Sequence, residues 1–455
     1  MAIESRNPLT NVVEKTFEEE SDKNIEDKLI KAELAYTKWK NTSFEERSKL
    51  MKKAAEVLKK NKEAYANIMT IEMGKAKREG ISEIEKCALA CEYYAENAED
   101  FLANAPLDVP SGKAYIAHDP MGIVLAIMPW NFPFWQVFRF AGPNLMAGNV
   151  GLLKHASNVP QCALAIQEVF QEAGFPKEVF QSLLIGSGKI NSLIDDDRVK
   201  AVTLTGSEGA GIKVAERAGK NLKKSVLELG GSDPFIVLKD ADIEKAAKTA
   251  AKARMINNGQ SCIAAKRFII EASIADEFLE VFKAEMQAIK LGDPMSEEFD
   301  YGPMASEDFA EDLLKQVSKS VEMGAEIITG GKRPDREGAF FEPTILFKVE
   351  PGMPAYEEEL FGPVAVVLIA EDEEEAINIA NDSRFGLGGS LWTKDIVRGQ
   401  QIVRKINSGS VYINQLMASH PAVPFGGVKK SGYGRELSHL GIKEFVNQKT
   451  VWIAE

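Results

Sequence analysis

Cys262 closes the run Asn257-Asn258-Gly259-Gln260-Ser261-Cys262, a thiol set behind small and amide side chains. Only a thiolate attacks, so some group must take the thiol proton. A thiol hydrolase would use an imidazole. None of the chain's four histidines, His118, His155, His420 and His439, is a close sequence neighbour of Cys262, although the fold could deliver one. A carboxylate offers another route. Glu228 stands in the apolar, strand-like run Val226-Leu227-Glu228-Leu229, just before Gly230-Gly231. Apolar neighbours desolvate a carboxylate and raise its pKa toward the range where a general base works at neutral pH. A third group is Asn131, a primary amide held in Pro129-Trp130-Asn131-Phe132-Pro133. Nucleophile, base and oxyanion donor together suit addition to a carbonyl carbon followed by hydrolysis. The plainer readings are a small buried thiol and a salt-bridged acid. They suit Cys87, Cys91 and Cys162 better than Cys262.

The elements that must position these groups alternate. Up to about residue 105 the chain reads as helices, with apolar residues such as Leu29, Ala32 and Trp39 at helical spacing. Short apolar runs then follow at 122–128, 150–153, 182–185 and 201–204, with helices at 161–173 and 189–194 between them. A second alternating block has strands at 235–238, 268–271, 327–328, 364–369 and 410–413. Its helices fall at 243–255, 275–288, 306–323 and 373–381. Such alternation predicts an α/β fold with parallel sheets and a ligand at the carboxyl ends of the strands. Trp130, Lys154 and Gly206-Ser207 sit at such ends. No dinucleotide fingerprint is present: Gly186-Ser187-Gly188 fails at Asn191, and Gly432-Tyr433-Gly434 fails at Leu437. On motifs alone the bound ligand stays open.

A net charge of −13 argues against a nucleic-acid partner, which would call for clustered positive charge. No apolar run approaches the ~20 residues needed to span a bilayer, and the first residues lack the pattern of a signal peptide. Four cysteines do not make a disulfide framework, so a cytoplasmic location is expected. No metal is expected.

Taken in order, the Asn131, Glu228 and Cys262 segments resemble the NAD(P)-dependent aldehyde dehydrogenase superfamily. Thr205-Gly206-Ser207, Glu359-Leu360-Phe361-Gly362-Pro363, Pro424-Phe425-Gly426-Gly427 and Ser431-Gly432-Tyr433-Gly434-Arg435-Glu436 extend the likeness over nearly the whole chain. Within the superfamily the chain looks most like the short succinate-semialdehyde dehydrogenases. The resemblance implies two parallel-sheet α/β domains and a small β oligomerisation arm. Residues 1–105 and 123–230 would bind dinucleotide, 231–427 would be catalytic, and 106–122 with 428–455 would form the arm of a homodimer or homotetramer. It also implies that the Cys262 thiolate, its pKa lowered by dipoles or cofactor charge, adds to an aldehyde. Asn131 and the Cys262 N–H would stabilise the oxyanion, and Glu228 would activate the hydrolytic water. Glu436 is a second candidate for proton relay. Ala264 occupies the place where some relatives carry a redox-switch cysteine, so no such switch is expected.

Carried over residue by residue, Gly206, Ser207 and Gly211 would face the pyrophosphate. Lys154 and Ser157 would lie along the adenosine side, Glu359 and Phe361 would hold the nicotinamide riboside, and Trp130 would also contact the cofactor. Many NAD-preferring relatives carry a glutamate where this chain has Ser157. A carboxylate there repels a 2′-phosphate and serine does not, so NADP is expected as the preferred cofactor, with NAD possible. Arg139 would grip the distal carboxylate of succinate semialdehyde, with Trp135, Ser419 and Phe425 lining the pocket. Ile256 departs from relatives that have a second arginine there, which weakens the substrate assignment more than the reaction. The competing readings are a dehydrogenase for other aliphatic or aromatic aldehydes, a cofactor-free cysteine (thio)esterase, and a catalytically silent scaffold.

Overall fold

The computed structural model describes residues 3–454. Its first sheet has six strands in the order Gly432–Tyr433, Lys224–Glu228, Val199–Thr205, Ile123–Met128, Val150–His155 and Phe180–Ser182. All neighbours run parallel except Gly432–Tyr433, which lies antiparallel to Lys224–Glu228 with Gly432 opposite Glu228. Ile123–Met128 is central and buried along its whole length, as a strand with helices on both faces must be. The strand order reverses around it, which opens a crevice at the carboxyl ends. Trp130, Lys154, Gly206 and Glu228 all come to that edge.

The second sheet runs Glu326–Thr329, Thr344–Phe347, Val364–Ala370, Arg267–Glu271, Pro234–Val237, Ser390–Trp392 and Tyr412–Ile413. Only its first pair is antiparallel. Alternate residues of its strands feed two separate cores. Ile236, Ile269 and Val366 pack on one face, and Phe235, Phe268 and Val367 on the other. That is the period-two arrangement of a strand whose two faces are both buried. The fold is therefore α/β with two mostly parallel sheets, as expected.

A third, antiparallel sheet joins Val446–Ile453, Lys113–Pro120 and Ala105–Leu107. It leaves Trp452, Ile453 and Leu107 exposed. The segment expected to form the arm is only partly in it, since residues 432–433 belong to the first sheet. Helix starts follow the capping rule: Ser21, Ser43, Ser207, Asp242, Ser306 and Asp372 each accept a hydrogen bond from a first-turn N–H. Among the described residues no helix is long and apolar enough to cross a membrane.

Candidate active site

The loop carrying Cys262 is built on a left-handed turn. Helix Ile243–Met255 ends, and Asn257, Asn258 and Gly259 follow at φ of 54°, 56° and 74°. Asn and Gly are the residues that enter this region at least cost. Each asparagine also spends its amide on tying the turn down. Asn258 Nδ2 donates to the Pro303 and Gly74 carbonyls at 2.7 and 3.1 Å. Asn257 Nδ2 donates to the Asn131 and Gln260 carbonyls at 2.7 and 3.0 Å. At Gly259 a Cβ would fall 2.3 Å from the Gly362 backbone, so no larger residue fits. Two buried cations bind the carbonyls. Arg254 Nη2 donates to Gly259 O at 2.5 Å, and Lys266 Nζ donates to Ser261, Cys262 and Ala264 oxygens at 2.8, 3.0 and 3.1 Å.

Asn131 lies against this loop. Its Oδ1 accepts from Gln136 Nε2 at 3.0 Å, and this fixes which way the amide points. One Nδ2 proton then goes to the Gln260 carbonyl at 3.0 Å. The second is left to donate. The Cys262 backbone N–H also meets no acceptor among the described residues. Two N–H donors are thus available beside the sulfur.

The thiol itself departs from expectation. Burial pushes the Cys262 pKa up to about 12, with Arg139 and Lys266 pulling it down and Glu359 and Asp233 pushing it up. Desolvation outweighs the nearby cations, so the resting sulfur is protonated. Glu228, 2 % exposed, is the last residue of its strand, and neither carboxylate oxygen has a hydrogen-bond donor. Burial first and the Glu436 charge second hold its pKa well above the usual carboxylate range, against Arg139 and Arg435. The backbone crowds it: a Cβ on Gly426 would stand 2.7 Å from Glu228 Oε1. Glu436 is buried too. It bridges Phe425 through paired backbone bonds of 2.7 and 2.8 Å.

The helix Trp135–Met146, buried throughout, carries Trp135 and Arg139. Trp135 Nε1 donates to Ser419 Oγ at 3.1 Å. Arg139 differs from the free guanidinium expected from the sequence. Its Nε forms a buried ion pair with Glu436, Nη2 reaches Thr205 Oγ1 at 3.4 Å, and the group stacks 4.5 Å from the Phe425 ring centre. The reason is proximity to a buried acid that needs a counter-charge. Only Nη1 has no protein acceptor among the described residues.

At the crevice, Ser207 caps helix Glu208–Lys220 through a 3.3 Å bond from Ala210 N–H. Helix N–H groups nearer the start point outward, toward any anion. A Cβ at Gly211 would strike Leu229 at 2.6 Å, so glycine lets this helix sit close on the sheet. Lys154 is buried, its pKa lowered by desolvation, and no carboxylate pairs with it among the described residues. Ser157 is half-buried just beyond the same strand, and its carbonyl accepts from Glu4 N–H at 3.2 Å. Trp130 stacks on Phe309 at 4.8 Å and meets Phe361 edge-on at 5.8 Å. Glu359 accepts from Gly231 N–H at 3.1 Å and pairs with Lys266 at 3.3 Å. A helix N-terminus, an unpaired buried lysine and an aromatic wall on one edge suit an anionic dinucleotide.

Sequence reading passed over Gln136, Gln260 and Lys266, and set Arg254 aside as pointing away from the substrate. Gln260 Oε1 accepts from Ala305 N–H at 3.0 Å, a contact no local pattern announces. The two basic residues resembled ordinary helix and strand cations. Only their lack of exposure distinguishes them.

The model of the aldehyde dehydrogenase family matches residues 1–451. Similar chains include the probable succinate-semialdehyde dehydrogenase (NADP+) of a Synechocystis strain, 51 % identical with 100 % of both chains covered. Succinate-semialdehyde dehydrogenase (NADP+) 1 of Mycobacterium bovis is 48 % identical, again over 100 % of both. Among solved structures, succinic semialdehyde dehydrogenase of Streptococcus pyogenes in complex with NADP+ superposes with a TM-score of 0.98. It is 40 % identical, with 99 % of this chain and 100 % of that one covered.

Proposed function

The chain belongs to the aldehyde dehydrogenase family, and on that premise we propose that it oxidises succinate semialdehyde to succinate, with NADP preferred over NAD. One observation carries the chemistry. A half-buried thiol, two unclaimed N–H donors and a buried carboxylate without donors come together in one site, and the charge of Arg139 bears on both Cys262 and Glu228.

Glu228, in its ionised form, takes the Cys262 thiol proton as the sulfur adds to the aldehyde carbon, and gives it up to solvent before the second step. Asn131 Nδ2–H and the Cys262 N–H then receive the oxyanion, at the ~3 Å that such donors require. NADP, when bound, supplies the acceptor for the hydride. What remains on Cys262 is a thioester. Glu228 takes a proton from water, the hydroxide adds to the acyl carbon, and the sulfur leaves as thiolate. A base with a raised pKa suits this step, because it is desolvated and strong enough to accept the proton near neutral pH. Gly206 and Ser207 hold the pyrophosphate, with Gly211 only letting their helix pack close on Leu229, Lys154 and Ser157 hold the adenosine end, and Trp130, Glu359 and Phe361 the nicotinamide riboside. Neutral Ser157 beside Lys154 supports NADP. The free Nη1 edge of Arg139 faces the substrate carboxylate, in a pocket with Trp135, Ser419 and Phe425.

The division into a dinucleotide domain, a catalytic domain and an arm is part of the same reading. So is a homodimer or homotetramer built through the arm, supported by its exposed Trp452 and Ile453. The reading places the protein in the cytoplasm, where its four free cysteines stay reduced.

The test is a panel of succinate semialdehyde, butanal and benzaldehyde with each cofactor, following reduced-cofactor absorbance. The highest kcat/KM is expected for succinate semialdehyde with NADP. A better rate with a neutral aldehyde or with NAD would overturn the corresponding assignment. Ester cleavage without any cofactor-dependent signal would favour the hydrolase.

A further inference from the structure

Helix Lys77–Phe101 places Lys86 beside the start of helix Trp135–Met146. Lys86 Nζ donates to Ser419 Oγ at 2.8 Å and lies 4.3 Å from the Trp135 ring centre. It has no ion-pair partner among the described residues. Two acids on the same helix border the space around it, and neither pairs with Lys86. Glu83 pairs with Lys75 and accepts the Phe134 and Trp135 N–H groups at 2.9 Å each. Glu79 accepts from Asn257 N–H at 3.2 Å.

An ammonium in this setting lacks a counter-charge. Desolvation, helped by Arg139, draws the Lys86 pKa down to about 8. Ser419 completes the site. Its oxygen already accepts from Lys86 and from Trp135 Nε1, so its own proton is free to donate. A cavity of about 460 Å³ opens over Lys86, Phe132 and Trp135. Phe132 follows Asn131 in the chain, and Trp135 lies on the helix that carries Arg139, so the cavity wall is built from the segments that carry the proposed site. A cation, a hydroxyl donor and aromatic walls make a receptor for a carboxylate on a short apolar chain.

We infer that Lys86, with Ser419, binds the distal carboxylate of the substrate and sets the preference for aldehydes that carry a terminal acid over neutral ones. This rests on the dehydrogenase reading above. It assigns to Lys86 a contact that Arg139, already paired with Glu436, makes with one edge only.

The experiment compares kcat/KM for succinate semialdehyde and butanal in wild type and Lys86→Met. The ratio of the two is expected to fall roughly ten- to a hundredfold, the loss of one charge-assisted contact. A ratio within about twofold of wild type would overturn the inference. A second measurement needs no variant: the wild-type ratio against pH. The charged and titratable groups facing Lys86 are Arg139, Glu83, Lys75 and Cys87, with Arg78 and Glu79 lining the same cavity. None of them is shared with one substrate and not the other before binding, so the ratio should fall as the pH rises through about 8 and Lys86 loses its proton. A flat ratio overturns the assignment. A wild type that does not favour succinate semialdehyde over butanal would instead refute the substrate reading on which it rests.

Discussion

Asn131→Ala tests the oxyanion assignment with two separable readouts, catalysis and folding. The amide has two protons. One is bonded to the Gln260 carbonyl at 3.0 Å, and the other is available for an oxyanion. Removing it deletes one of two donors, which by analogy with other oxyanion sites costs ~2.7–4 kcal/mol, or roughly a hundred- to a thousandfold in kcat. The effect belongs in kcat, because the donor is placed for the tetrahedral oxygen and not for the ground-state carbonyl. The structural cost is smaller and has a known source. The Gln260 carbonyl keeps its 3.0 Å bond from Asn257, so the Cys262 loop stays tied. Gln136 Nε2 loses its acceptor in a buried position, which costs ~1–3 kcal/mol of stability. Initial rates over a range of aldehyde concentrations, with urea unfolding of the same samples, measure both quantities. A kcat within about threefold of wild type would refute the assignment of the amide to the oxyanion. A large loss of stability with unchanged kcat would mark Asn131 as a loop fastener alone.

Other outcomes follow from the same geometry. Cys262→Ala should abolish aldehyde oxidation while the thermal midpoint stays near that of wild type, and any wild-type turnover would remove Cys262 from the mechanism. The acid limb of the kcat profile should lie above the ordinary glutamate range, because Glu228 must be ionised to act and its pKa is raised by burial and Glu436. Glu436→Gln removes a like charge and unpairs Arg139, two changes that lower the Glu228 pKa, so that limb should move to lower pH; an upward shift would contradict the electrostatics. Ser157→Glu should weaken NADP roughly tenfold or more and improve NAD in relative terms, by placing a carboxylate at the 2′-phosphate, as titration of cofactor fluorescence would show.

Periodicity recovered the long elements well. Helices Ile243–Met255 and Glu373–Asn381 begin and end where the apolar pattern does. The third strand of the first sheet was misplaced, at 182–185 against the observed Phe180–Ser182. Strands Thr344–Phe347 and Ser390–Trp392 went unread because three or four apolar residues carry no period. The hairpin Ile3–Arg6 with Val13–Phe17 was missed for a different reason: its sequence is mostly polar. At the site, Cys262, Glu228 and Asn131 could be proposed from sequence order, but the state of the thiol could not. Its pKa depends on how dry the fold makes it, which no local pattern encodes. Arg139 and Lys86 were opaque for the same reason. Their partners Glu436 and Ser419 lie some three hundred residues further along the chain.

The pairing of Gly432 with Glu228 has a bearing on how the protein comes to life on the ribosome. Cys262, Asn131 and Glu228 are all made well before the closing segment that supplies Gly426, Gly432 and Glu436. Until that segment docks, the edge of Lys224–Glu228 is bare and the carboxylate faces water, where it titrates as an ordinary acid and makes a poor base. Hydrolytic competence thus depends on a segment far from Glu228 in sequence, which pairs Gly432 with Glu228 and brings Glu436 to Arg139.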